Sequence, residues 1–402
     1  MQIRNHPPLH LTYCLNIHRG ETWPENFRAI RDKALVVRDA VAAGQSFGLG
    51  LRLSAVAAAQ LADETVLGEF RTFLGDQRLY AFTINGFPYG AFHGTPVKQD
   101  VYRPDWRAPE RRDYTNQLAD ILSRLLPDGV MGSISTVPGS YRTWISGDED
   151  VFGMAKHLAE AAWHCHRIAE ARGREIVVAL EPEPDCWVET TQETVTFLND
   201  SVFRLGGAYL RSAHGLGAGA AEQILRRHLG ACLDTVHAAV EFEDPSDCLR
   251  QYAAAGVRVP KVQLGCALGW TPSRDTVGRL RAFAESVYLH QVKVRDAHGG
   301  VTAYPDLPEA LAAWEQGRGG AGDQWRVHFH IPLFAEPSAG LCSTGDLLGA
   351  AFARALAETA VPHLEIETYT FDVLPDELRG MDVTASIAAE YRWVLARLVD
   401  RG

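Results

Sequence analysis

The sequence predicts an α/β chain of the (β/α)8 TIM-barrel class, and three observations carry that expectation. Apolar runs of strand length alternate with amphipathic helical stretches along all 402 residues. Polar and acidic residues recur at the C-terminal ends of those runs, which is where barrels build their sites. No Gly-x-Gly-x-x-Gly follows the first run, which disfavours the competing doubly wound open sheet.

The elements follow in order. Leu9 to His18 sets Leu11, Tyr13, Leu15 and Ile17 against Thr12, Cys14, Asn16 and His18, so it reads as strand one with its polar face turned into the barrel. A helix from about Trp23 to Ala43 follows it. Strand two lies within Phe47 to Ser54, strand three spans Leu79 to Asn85, and the aromatic segment GFPYGAFHG (Gly86 to Gly94) comes next. Strands four and five are Val130 to Val137 and Glu175 to Leu180, the latter running straight into Glu181-Pro182-Glu183-Pro184. Strand six opens LGACLDTVHAAVEFE (Leu229 to Glu243), and Ser246 reads as the cap of the next short helix, to Ala255. Strand seven is Val259 to Leu264, with a helix from about Asp275 to Glu285.

There the rhythm breaks. Tyr288 to Arg295 and Val301 to Tyr304 flank a His298-Gly299-Gly300 turn and read as a β-hairpin. A helix and the strand-like run WRVHFHIPL (Trp325 to Leu333) come before the closing strand, His363 to Thr370, and a last helix over Val383 to Val399. The expectation is a single barrel domain over residues 1–402, with residues 286–340 inserted as a hairpin or lid between strands seven and eight. No linker or low-complexity run divides the chain.

Composition narrows the function classes. Charged residues are 22% and hydrophobic ones 46%, ordinary for a globular protein. The net charge of -11 disfavours a nucleic-acid backbone, whose capture needs clustered Lys and Arg. Seven scattered cysteines without Cys-x-x-Cys spacing point to a reducing compartment, and no run of 18 apolar residues predicts membrane insertion. The N-terminus has no signal-peptide pattern, so the expected location is cytoplasmic.

The strand ends supply the candidate site. In Asp234-x-x-His237 a carboxylate and an imidazole share the exit of a buried strand, where they can hold one cation, although such an Asp also serves as a helix cap. Glu181 and Glu367 end strands five and eight. Three carboxylates at one barrel mouth repel one another unless they are protonated or meet a cation. His328 and His330, two apart in an extended piece, face one way and add nitrogen donors. Mixed oxygen and nitrogen donors suit Mn2+, Zn2+, Co2+ or Fe2+ better than Ca2+. Gln263 ends strand seven. His18, Asn85, His93 and His290 are candidate substrate contacts, Glu183 reads equally as a solvated rim residue, and Cys14 and Cys232 read as core.

This pattern resembles the xylose-isomerase-like TIM-barrel superfamily of sugar isomerases, ketose epimerases and endonuclease IV. The resemblance rests on Glu181, the Asp234-x-x-His237 step and Glu367 in the Glu-Thr-Tyr of strand eight. It implies that the matching Glu, Asp and Glu hold a divalent metal together with a strand-seven histidine. This chain has Gln263 at that place, so Gln263, His328 or His330 would fill it. A closer likeness, through TINGFPYGAFHG, KVQLG, YLHQVKVR, VHFHIPLF and HLEIETYTFDVLP, is to the EboE-type metabolite-traffic proteins of the eustigmatophyte-bacterial operon. It implies a small-molecule metabolite and other proteins of the same operon as partners.

Three functions follow as expectations. The first is a metal-dependent isomerase or epimerase of a small hydroxycarbonyl compound, with Glu181 and Glu367 as the acid/base pair and His237 orienting a hydroxyl or completing the metal shell. The second is a barrel that binds a metabolite or a partner without turnover. The third is an endonuclease IV-like metal-dependent phosphodiesterase.

Overall fold

A computed structural model describes the chain except for residues 94–95, 321, 338–339, 377 and 400–402. Eight parallel strands form the barrel: β1 Leu9–Tyr13, β2 Phe47–Arg52, β3 Leu79–Asn85, β4 Gly132–Thr136, β5 Ile176–Leu180, β6 Leu229–Asp234, β7 Lys261–Leu264 and β8 His363–Ile366. Each pairs with its neighbour in sequence, and β8 pairs with β1. A parallel bridge between Cys14 and Gly50 joins β1 to β2 and closes the ring.

The strands are buried on both faces, as a sheet wrapped by helices requires. Their outward residues, such as Leu11, Leu49 and Ile134, pack in the main hydrophobic core. Their inward residues are largely polar. Lys261 Nζ meets Glu365 Oε2 at 2.5 Å, and both side chains are fully buried in the lumen. Lys261 also donates to Ser135 Oγ at 3.2 Å. Ser133 Oγ donates to Thr83 Oγ1 at 2.8 Å and lies 2.8 Å from His363 Nδ1. A Cβ on Gly50 would collide with the Glu365 carboxylate, so that glycine makes room for the charge. Along its own strand Gln263 follows Lys261 by two residues on the inward face, opposite Glu365 across the β7–β8 pair, and Glu367 follows Glu365 by two, at the mouth.

Several boundaries differ from the expectation. β1 ends at Tyr13, and Leu15–Ile17 winds into a 3-10 turn that turns Asn16 toward the mouth. The helix Pro245–Ala254 is capped by Asp244, whose carboxylate accepts from Ser246 N at 2.7 Å; Ser246 is therefore its second helical residue and not its cap. Gly94, the last residue of the aromatic segment, lies outside the described residues.

The excursion between β7 and β8 begins at Cys266, not at residue 286. Its strands Val301–Tyr304, Val292–Arg295, Gln324–Ile331, Cys266–Trp270 and Leu341–Ser343 stand in that order in a five-stranded antiparallel sheet. The expected hairpin is present, with Val292 opposite Tyr304 and Arg295 opposite Val301. Cys266–Trp270 escapes a sequence reading because only Gly265 separates it from β7. Without an obvious turn, one strand reads as the tail of another. Cys266 pairs with Ile331, so the excursion brings WRVHFHIPL back beside the end of β7.

Candidate metal centre

Three imidazoles converge over the barrel mouth. His237 Nε2 lies 3.1 Å from His328 Nε2, which lies 3.2 Å from His330 Nε2. The opposite nitrogen of each ring is anchored. His237 Nδ1 meets the Pro182 carbonyl at 2.8 Å, and His330 Nδ1 meets the Glu367 carbonyl at 2.9 Å. A carbonyl only accepts, so both Nδ1 atoms carry the proton and both Nε2 atoms present lone pairs when the rings are neutral. His328 Nδ1 meets Gln291 Oε1 at 2.7 Å, and the Gln291 amide nitrogen donates to Pro184 O and Tyr102 Oη, which fixes which end of the amide faces the ring. Three lone pairs therefore point together. Two imidazole nitrogens about 3.3 Å apart is the spacing expected of ligands on a tetrahedral ion with metal–nitrogen distances near 2.05 Å.

The carboxylates complete the rim. Asp234 Oδ1 caps the helix Thr235–Val240, accepting from Val236 N at 2.6 Å and His237 N at 3.2 Å. Its other oxygen, Oδ2, is buried without a hydrogen-bond partner, 4.0 Å from His237 Nε2. One aspartate thus serves as cap with one oxygen and leaves the second to the mouth. Glu181 Oε1 accepts from Gln263 Nε2 at 2.5 Å, while Glu181 Oε2 is buried without a partner. Glu367 Oε1 accepts from Asn16 at 2.6 Å and from Asn85 at 2.9 Å. Donor atoms of three overlapping sets lie within 4.8 Å of one another: His237, His328 and His330; Glu181, Asp234 and His237; Asp234, His330 and Glu367. The buried, unpartnered oxygens and the convergent lone pairs fit a divalent cation.

The electrostatics show the same tension. Burial pushes the Glu181 carboxyl up to about 8, with Asp234 adding to the rise and His237 opposing it. Burial, then Glu181 and Asp234, drives Glu367 well above the usual carboxylate range. Asp234 stays below its ordinary value: burial opposes ionisation, but His237, His330 and the His237 N–H outweigh it. Burial pushes the His330 imidazole down to about 4 and His328 well below its ordinary value. His237 rises because the three surrounding carboxylates outweigh its burial. Negative charge held close in a dry site is the condition that a cation relieves.

Glu181, Asp234, His237 and Glu367, from the strand ends, are brought together with His328 and His330 of the inserted strand Gln324–Ile331. Gln263 is beside them, but its amide nitrogen is committed to Glu181, and only its Oε1 is without a partner. His330 stands at the end of β7: a Cβ on Gly265 would come within 3.2 Å of His330 Nδ1 and 2.7 Å of Val236. The inserted strand thus places an imidazole beside the end of β7. Asn85 lines the cleft above the centre. The other three expected contacts lie apart from it. His18 is held by the Tyr13 hydroxyl at 2.9 Å and borders a separate hollow together with His93. His290 is occupied at both nitrogens, by the His328 carbonyl at 2.9 Å and Glu285 at 2.8 Å. Glu183 is not a solvated rim residue; it is buried, accepts from Tyr102 Oη at 2.8 Å and lines the cleft. Gln291, Tyr102 and Tyr369 escaped the sequence reading, since nothing in a lone amide or phenol signals a distant histidine.

No family model and no curated protein matches the chain. Solved structures that align with it include an IolI protein with a bound zinc atom, at 12% identity over 98% of this chain and 100% of that one, with a TM-score of 0.49. An L-ribulose 3-epimerase aligns at 14% identity over 96% and 93%, with a TM-score of 0.47. A xylose isomerase domain protein from Planctomyces limnophilus aligns at 14% identity over 87% and 89%, with a TM-score of 0.46.

Proposed function

We propose that the chain is a divalent-metal-dependent isomerase or epimerase acting on a small hydroxycarbonyl compound. The observation that carries this reading is the convergence of three imidazole Nε2 atoms at 3.1 and 3.2 Å beside the unpartnered oxygens of Asp234 and Glu181. Asp234, His237, His328 and His330 would hold the cation, with Glu181 and Glu367 at its flanks. A bound divalent ion supplies Lewis acidity toward a carbonyl oxygen. The chain's own groups handle the proton. Glu181 and Glu367 both line the cleft, from the ends of β5 and β8. In epimerisation the ionised one would take the proton from the carbon beside the carbonyl, and the other, protonated, would give its own proton to the opposite face of that carbon. In isomerisation the proton would go instead to the former carbonyl carbon, while the hydroxyl proton passes to the former carbonyl oxygen. Asn16 and Asn85 hold Glu367 in place. We also propose that the chain acts in the cytoplasm, in an Ebo-type metabolite-traffic pathway alongside other proteins of that operon, the role that the sequence resemblance implies.

The test is solvent exchange. Protein loaded with Mn2+ or Zn2+ is expected to exchange the α-proton of a hydroxyketone in D2O, followed by NMR, and Glu181→Gln and Glu367→Gln are each expected to slow it at least a hundredfold with unchanged circular dichroism. Undiminished exchange in both variants would sink the proposal. Protein that takes up no stoichiometric ion would favour the binding barrel without turnover. The three overlapping donor sets also favour a second reading, a phosphodiesterase with more than one ion, since such enzymes clamp both attacking and leaving oxygens. Phosphate release from a panel of esters with Zn2+ or Mn2+ checks it, and no release from any ester removes it.

A further inference from the structure

The cleft above the centre has two unlike halves. Its floor is the polar set of Asn16, Asn85, Glu181, Glu183 and Glu367 with the His237 and His328 imidazoles, and its walls are Phe87, Phe92, Val97, Val101 and Leu289 with three tyrosines. Phe92, Tyr288 and Tyr369 form a mutual ring cluster with centroids 5.1 to 5.3 Å apart. Tyr369 joins the halves, its hydroxyl 3.5 Å from His328 Nε2. The walls come from two excursions tied to each other. Val97 N donates to the Val287 carbonyl at 2.9 Å, which holds the segment after β3 against the inserted sheet.

The cleft also offers little to an anion. No arginine is among the described residues that line it, and its one lysine is spent. Lys98 Nζ contacts Asp306 Oδ2 at 2.5 Å and the Tyr288 carbonyl at 2.7 Å. A phosphorylated sugar needs charged or backbone donors placed for its phosphate, and a free sugar would set hydroxyls against Phe92 and Val97 without partners. We infer that the substrate is an uncharged amphiphile: a hydroxycarbonyl head seated on the floor, carrying an alkyl or aryl tail that lies along the apolar walls. This inference rests on the proposed metal reading for the head, whereas the tail half stands on the walls alone.

Isothermal titration calorimetry on Zn2+-loaded protein separates the two. 1-Hydroxyoctan-2-one is expected to bind roughly a hundredfold or more tighter than hydroxyacetone, at about threefold to fourfold per added methylene. Phe92→Ser is expected to cut the affinity for hydroxyoctanone at least tenfold and leave those for hydroxyacetone and Zn2+ unchanged. The half-buried Val101→Asp provides the same comparison should the Phe92 variant fold poorly. Equal affinity for the two ketones, or tighter binding of dihydroxyacetone phosphate than of hydroxyoctanone, overturns the inference and leaves the metal reading standing if Zn2+ still binds stoichiometrically. Conversely, metal-free protein that binds octan-1-ol in a Phe92-dependent manner, with no stoichiometric Zn2+ uptake, supports the apolar cleft and removes the metal reading.

Discussion

Two layers of the same barrel interior treat buried charge in opposite ways. In the lower layer, Lys261 and Glu365 form one pair at 2.5 Å, with Ser135 alongside. In the layer above, four carboxylates (Glu181, Glu183, Asp234 and Glu367) meet three imidazoles whose free nitrogens face one another. Both layers are buried, although the upper one lines the cleft. The lower one is neutralised within the protein, whereas the upper one leaves Asp234 Oδ2 and Glu181 Oε2 without partners, an arrangement that fits a cation. A buried charge that the fold has paired is structural; a buried charge that it leaves unpaired marks a place for something else.

The largest expected effect breaks the lower layer. Lys261→Met leaves Glu365 buried without its partner and is expected to cost about 3 to 5 kcal/mol in urea unfolding, while the double variant Lys261→Met, Glu365→Leu recovers most of that loss. If the single and double variants are equally destabilised, the pair is not what matters there.

In the upper layer the sign is expected to reverse with metal. Burial pushes the Glu181 carboxyl up to about 8, above its ordinary value, so at pH 7 folding favours a proton on it and costs stability. Glu181→Gln removes that cost and is expected to stabilise metal-free protein by on the order of 1 to 3 kcal/mol at pH 7, with less gain at lower pH. With Zn2+ bound, the same substitution is expected to lower the melting temperature. A loss of stability in both states would show that the carboxylate is structural.

The smallest effect is a pH dependence at the bottom of the barrel. Burial pushes His228 down to about 4, although its Nδ1 meets the Ile176 carbonyl at 2.8 Å and favours the charged form. The unfolded chain protonates this ring near pH 6.5 and the folded chain does not, so its stability is intact above that pH and declines as pH falls toward 4. His228→Asn is expected to flatten urea midpoints over that window, and an unchanged slope would assign the acid sensitivity to other groups.

Much of the fold was legible in the chain because its causes are local. The two-residue alternation and the βα rhythm fixed seven of the eight strands to within a few residues, and the polar residues at their ends named Glu181, Asp234, His237 and Glu367. His328 and His330 were also legible as a pair, since residues two apart on an extended segment share a face. Their destination was not. Nothing near Gln263 says that an inserted strand returns its histidine to the end of β7, because that placement depends on the pairing of Cys266 with Ile331 and on the space left by Gly265.

The sequence by itself determined the barrel, the acidic mouth and the two histidines of the excursion, all readable from periodicity and from chemistry at strand ends. Only the tertiary structure decided which nitrogens face the centre, through the carbonyls of Pro182 and Glu367 and the Gln291 amide. It also decided that His18, His93 and His290 stand aside, and that Phe92 and Tyr288 meet above the floor. The physical reason is one of range. Propensity and periodicity act between neighbours in the chain, whereas lone-pair direction, burial and ring contact are set by groups brought together from opposite ends of it.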